Sequence, residues 1–162
     1  MKSMHFVCDF TQKVVATVFD TLLNLKVDPV SHMEGADIPQ DRLVGMVGSV
    51  SFAGKIAGSL HTAYSKSLAC NLAGCLIGAK PKSWFESDVS HLIGKIANTV
   101  GGDTRRRTAE PGFTGQLAPP LIMRGDNTAV ESKDTHGVAE NCFRFPEVKE
   151  ERRVRVIAKL EP

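Results

Sequence analysis

Residues 42–65, "RLVGMVGSVSFAGKIAGSLHTAYS", decide how the rest of the chain is read. Val44, Met46, Val50 and Phe52 fall on one side of a period-two pattern, as a half-buried strand requires. "AGK" at 53–55 interrupts the alternation, and Ile56, Leu60 and Tyr64 resume it. Two alternating runs around a short turn predict an antiparallel hairpin. Gly45, Gly48 and Gly58 lack side chains to pack, so something is expected to lie close against this backbone.

On the N-terminal side, "DFTQKVVATVFDTLLNLKV" places Phe10, Val14, Val15, Val18, Phe19, Leu22 and Leu23 at helical spacing. That pattern predicts an amphipathic helix covering a core. "DPVSHMEGADIPQD" then reads as a polar, proline-containing connection. On the C-terminal side, "SKSLACNLAGCLIG" predicts a short helix opening near Ser65 and closing at Gly78. A second helix is expected from about Ser87 to Val100, after "AKPKSWF". Trp84 and Phe85 before it read as a hydrophobic staple or core anchor.

A Gly- and Pro-rich loop, "AEPGFTGQLAPP", precedes three strand candidates: "LIMRG" or a longer strand reaching Val130, "GVAENCFRF", and "RRVRVIAKL". The last alternates cleanly, with Val154, Val156, Ala158 and Leu160 on one face. The final connections are too short for helical crossovers. The element order therefore predicts an α+β fold, with helices on one face of a largely antiparallel sheet. We expect a single domain over residues 1–162.

Bulk properties narrow the function classes. A net charge of +2 gives no support to a nucleic-acid binder, and no apolar run approaches the roughly 20 residues that span a bilayer. Cys8, Cys70, Cys75 and Cys142 show neither a CxxC pair nor metal-ligand spacing with histidine. They read as buried or half-buried free thiols of a cytoplasmic protein.

The second helix, "HLIGKIANTVGG" at 91–102, carries the chemistry. Asp88, His91, Lys95 and Asn98 share one stripe, and Val89, Leu92, Ile93, Ile96 and Val100 make the other. The polar stripe can be simply the wet side of an amphipathic helix. Yet Asn suits a helix interior poorly, and each of Gly101 and Gly102 costs roughly 1 kcal/mol against alanine. Those choices fit either a surface approached closely by a partner or a helix that ends or kinks at the glycines. Asp88 and His91 lie one turn apart, but without a third ligand they read as a surface pair at a helix start, not a metal site. Arg105, Arg106 and Arg107 read as a solvated helix end that could rim an acidic partner surface.

The stretch "IGKIANTVGG" resembles the active helix of the CheC/CheX family, phosphatases acting on the phosphorylated response regulator of bacterial chemotaxis, and is closest to CheX. That helix carries an acid or Ser, a Glu four residues on and an Asn three residues after it; a proline follows roughly twenty-two residues beyond the Asn. Asn98 matches the Asn, and Pro120 of "APPLI" stands at the downstream distance. The N-terminal helix, the hairpin and the order of the later strands extend the resemblance over nearly the whole chain.

The resemblance implies a CheX-like domain that acts on a CheY-like receiver. Asn98 would orient the water that attacks the aspartyl phosphate, and Asp88, His91, Gly101 and Gly102 would face the partner. It further implies no cofactor of the chain's own, with Mg on the receiver, and a homodimer. Residues 152–160 read as an exposed edge strand that offers a pairing surface between copies, although their Arg and Lys side chains fit edge protection equally well. Two positions depart from the pattern. Lys95 stands where the family has Glu, which pairs with a receiver lysine, and His91 stands where it has Ser or Asp. Lys95 has donors only and would meet that lysine as a like charge. Either the partner differs at the facing position, or Lys95 contacts the phosphate directly, or the chain is a binding or scaffold module that has lost the reaction. A likeness of fold alone, with an unrelated ligand, is the remaining reading.

Overall fold

The structure, a computed structural model, describes residues 4–35, 43–53, 57–108, 116–128, 137–145 and 153–161. In chain order the elements are α1 (Met4–Leu23), β1 (Asp28–Gly35), β2 (Leu43–Ala53), β3 (Ala57–Tyr64), α2 (Lys66–Ile77), α3 (Ser87–Thr108), β4 (Gln116–Leu117), β5 (Leu121–Thr128), β6 (Gly137–Arg144) and β7 (Arg153–Glu161). The strands form one antiparallel sheet in the order β1-β6-β7-β3-β2, with β4 and β5 sharing the far edge of β2. The expected α+β architecture is present, with all three helices contributing to one core.

That core follows from periodicity. Val14, Val15, Val18 and Phe19 bury one stripe of α1, and Val89, Leu92, Ile93, Ile96, Ala97 and Val100 bury one stripe of α3. Both stripes meet Met46, Val50, Leu60 and Tyr64 of the hairpin. The hairpin pairs as its alternation requires, from Met46 opposite Tyr64 to Phe52 opposite Gly58. Helix α2 is bounded by its caps. Ser65 accepts from the Leu68 amide at 3.1 Å, while Gly78, at φ 83°, donates to the Gly74 carbonyl at 2.9 Å.

Gly48 marks a close approach of α3 to the sheet, since a Cβ there would sit 3.1 Å from the side chains of both Ala97 and Ile93. Gly45 has φ +103° at a register shift between β2 and β5. Both glycines thus meet the expectation of close approach; the side-chain surroundings of Gly58 lie outside the described residues.

Several expectations need correction. The segment read as a polar connection contains β1, which pairs with β6 and is joined to it by the Asp28–Arg144 ion pair at 3.8 Å. Its lack of clean alternation concealed it. Strand β7 is not an edge: it lies between β3 and β6, so its backbone groups are already paired on both sides. Helix α3 does not stop at Gly101-Gly102 but continues to Thr108. Val100, Gly101 and Thr104 are buried along it, and packing of this kind offsets the weak helical preference of glycine. Cys70 is buried and Cys142 half-buried as expected, but Cys75 is exposed; none of the three is in a disulfide, and the side chain of Cys8 lies outside the described residues.

Candidate functional site

Helix α3 presents its polar stripe away from the sheet. Asp88, His91, Lys95 and Asn98 are all exposed, as an amphipathic helix bound by its opposite face requires. Gly101 is buried and so faces the core, not a partner. Gly102 is half-buried, and a Cβ there would meet nothing within 4 Å. Gly102→Ala is therefore expected to raise stability by about 1 kcal/mol, measured by urea unfolding. If the space above Gly102 receives a partner, the same variant should weaken binding.

His91, Lys95 and Asn98 do not face open solvent alone. Together with Ser90 and Gly94 they form one wall of an open groove of about 650 Å³. The opposite wall is Ala118, Pro119, Pro120 and Ile122. The sheet creates this wall. β4 and β5 run along the same edge of β2, and the two prolines between them have no amide to continue the ladder. Ala118 pins the segment by donating its amide to the Ser51 carbonyl at 2.8 Å. Gly94 makes the floor narrow, since a Cβ there would lie 3.6 Å from Ile122 Cδ1 and 3.9 Å from Pro120 Cγ. Asn98 and Pro120, distant in sequence, thus face one depression.

One end of the groove has a feature the sequence reading missed. Arg124 of β5 donates to the Ser90 hydroxyl and, from Nε, to the Trp84 carbonyl at 3.3 Å, tying β5 to the start of α3. Its guanidinium lies 5.6 Å from the centre of the Phe85 ring. Phe85 also packs edge-on against Trp84, with ring centres 5.7 Å apart. Trp84 is buried, as a core anchor should be, but Phe85 is 71% exposed. The expectation of a hydrophobic staple or core anchor at these two residues is corrected for Phe85. Leaving such a ring in water forgoes about 2 kcal/mol of burial energy. The available signal was Arg124 itself, a charge inside the otherwise apolar "LIMRG".

The groove offers a carboxamide at Asn98, an ammonium at Lys95 and an imidazole at His91, with a hydroxyl at Ser90. Among the described residues that line it there is no carboxylate. Among the described residues no group of three or more His, Cys, Asp or Glu could hold a metal ion, and no helix is long and apolar enough to cross a membrane. Side chains of Arg105, Arg106 and Arg107 lie outside the described residues.

A helical layer on this antiparallel sheet, with an Asn-bearing groove over its edge, defines a chain of the CheC/CheX-like class. Solved structures bear this out at the level of fold. CheX from Vibrio vulnificus superposes with a TM-score of 0.79 at 20% identity, covering 93% of this chain and 96% of that one. CheX from Desulfovibrio desulfuricans gives 0.79 at 18% identity, covering 96% and 99%. CheX in a CheX–CheY–BeF3–Mg complex from Borrelia burgdorferi gives 0.74 at 15% identity, covering 95% and 97%. No curated protein matches the chain significantly. The family model described as chemotaxis phosphatase CheX matches residues 46–144, more than half of the sequence. The chain belongs to the CheX family.

Proposed function

We propose that the chain binds a phosphorylated CheY-like receiver domain and hydrolyses its aspartyl phosphate, with Asn98 as the catalytic residue. The observation that carries this reading is Asn98 exposed on helix α3, in a groove whose other wall includes Pro120, within a CheX-family chain. Its carboxamide can accept a hydrogen bond from water and donate one to a phosphoryl oxygen. Water so held attacks phosphorus in line, and the bond from phosphorus to the aspartyl oxygen breaks. The receiver recovers its carboxylate, and the phosphate leaves carrying the water's oxygen. Little else is needed, because alignment removes much of the entropic barrier of phosphoryl transfer. The divalent metal belongs to the receiver, and the chain supplies no cofactor. Such a protein would work in the cytoplasm, beside its receiver.

Lys95 sets which receiver fits. It lies one helical turn from Asn98 on the same groove wall and would repel a receiver lysine at the facing position. Lys95→Glu is expected to raise kcat/KM at least about tenfold toward a receiver carrying that lysine. If the variant is no better than wild type in a phosphate-release assay, this account of Lys95 is wrong. The same departure favours a second reading, a binding module without catalysis, which predicts complex formation with no faster phosphate loss. Binding to no receiver would leave a likeness of fold alone. We further propose a homodimer. Since β7 is interior, pairing would have to use β1 or the β4–β5 edge.

A further inference from the structure

We infer that Phe85, held in place by Arg124 and Trp84, is an aromatic docking anchor for the same receiver domain that presents its phosphate to Asn98. The inference rests on the proposed function for the identity of the partner. Of the large apolar side chains exposed on the described surface, Phe85 is the most exposed, at 71%. Its ring is nevertheless constrained, edge-packed on Trp84 and capped by the Arg124 guanidinium. A pre-ordered aromatic ring gives up little rotamer freedom on binding, which is the property of residues that dominate interfaces.

Phe85 is also continuous with the groove. Arg124, which lies over the ring, bonds to Ser90, and Ser90 lines the groove with Asn98. From the start of α3 to Asn98 is about three turns, or about 17 Å. A standard interface buries about 800 Å² per partner, a patch about 30 Å across, so one receiver reaches both ends. Charge defines the surface that fits. His91, Lys95 and Arg124 place nitrogen groups between Asn98 and Phe85, and the exposed Asp88 carboxylate lies on the same stripe nearer the start of α3. The complementary face is an apolar notch for the ring, with acidic groups opposite His91 and Lys95 and a donor opposite Asp88, beside the phosphorylated aspartate.

The test uses the full chain and a receiver from the same genome, phosphorylated for turnover and beryllofluoride-activated for binding. Phe85→Ser should raise KM and Kd about tenfold with kcat retained, whereas Asn98→Ala should lower kcat with KM retained. Phe85→Tyr should restore KM, and unfolding curves of both Phe85 variants should match wild type. Unchanged KM and Kd in Phe85→Ser, beside an active wild type, overturn the anchor and leave the proposed function standing. If wild type binds the activated receiver without hydrolysing its phosphate, the catalytic reading fails. The tenfold loss of affinity in Phe85→Ser then still supports the anchor. A change in sedimentation of the chain alone, with receiver affinity intact, would assign the ring to contact between copies and overturn the inference.

Discussion

Asn98→Ala is expected to abolish the acceleration of receiver dephosphorylation, lowering kcat on the order of 100-fold. Misplacing a nucleophile costs this much even when nothing else in a site changes, and here the carboxamide would be the group that places it. The fold should be indifferent to the change, because Asn98 is exposed on a helix whose buried stripe is Ile93, Ile96, Ala97 and Val100. Alanine is also the better helix former, so unfolding curves should show a small gain in stability. Asn98→Asp separates positioning from shape. It keeps the size but replaces the donor with a negative charge facing a phosphoryl group, and should be as inactive as alanine. Wild-type phosphate release no faster than that of the receiver alone, or acceleration that survives in Asn98→Ala, would remove Asn98 from the reaction.

The second large effect is expected at Gly45 and concerns stability. A Cβ on Gly45 would lie 2.1 Å from the Tyr64 carbonyl oxygen and 3.1 Å from Ser65 Cα. Both obstacles are backbone, so no side-chain rotation relieves them. Its φ of +103° also lies where L side chains are strained, at roughly 1–3 kcal/mol. Gly45→Ala should therefore destabilise the chain by about 3 kcal/mol or more, lowering Tm by about 10 °C for a domain of this size. The damage falls at the end of the hairpin, next to the Ser65 cap that starts α2. A calorimetric shift below about 2 °C would mean that β2 relaxes at its register shift without cost to the sheet.

The two variants separate two kinds of information. The helix stripes and the caps Ser65 and Gly78 were legible because residues within four positions of one another determine them. The hairpin was legible for a similar reason, since only three residues separate its strands and their alternation fixes the register. Within the site, the polar stripe of Asp88, His91, Lys95 and Asn98 follows from helical periodicity alone, and all four are exposed. Gly101 failed that reading because local glycine preference suggested an end or a kink, whereas the helix runs through it with buried neighbours.

Sequence by itself determined the amphipathic faces, the caps and the hairpin, and through its motif the family, because each is set by neighbours along the chain or by a short pattern. Only the tertiary structure decided that β1 joins the sheet and that β7 is enclosed within it. It alone set Pro120 across a groove from Asn98, and left Phe85 exposed under Arg124 while Trp84 was buried. Each of these depends on which distant segments share the limited surface of one sheet and one core. That competition is settled by packing and strand pairing across the whole chain, and no local preference encodes it.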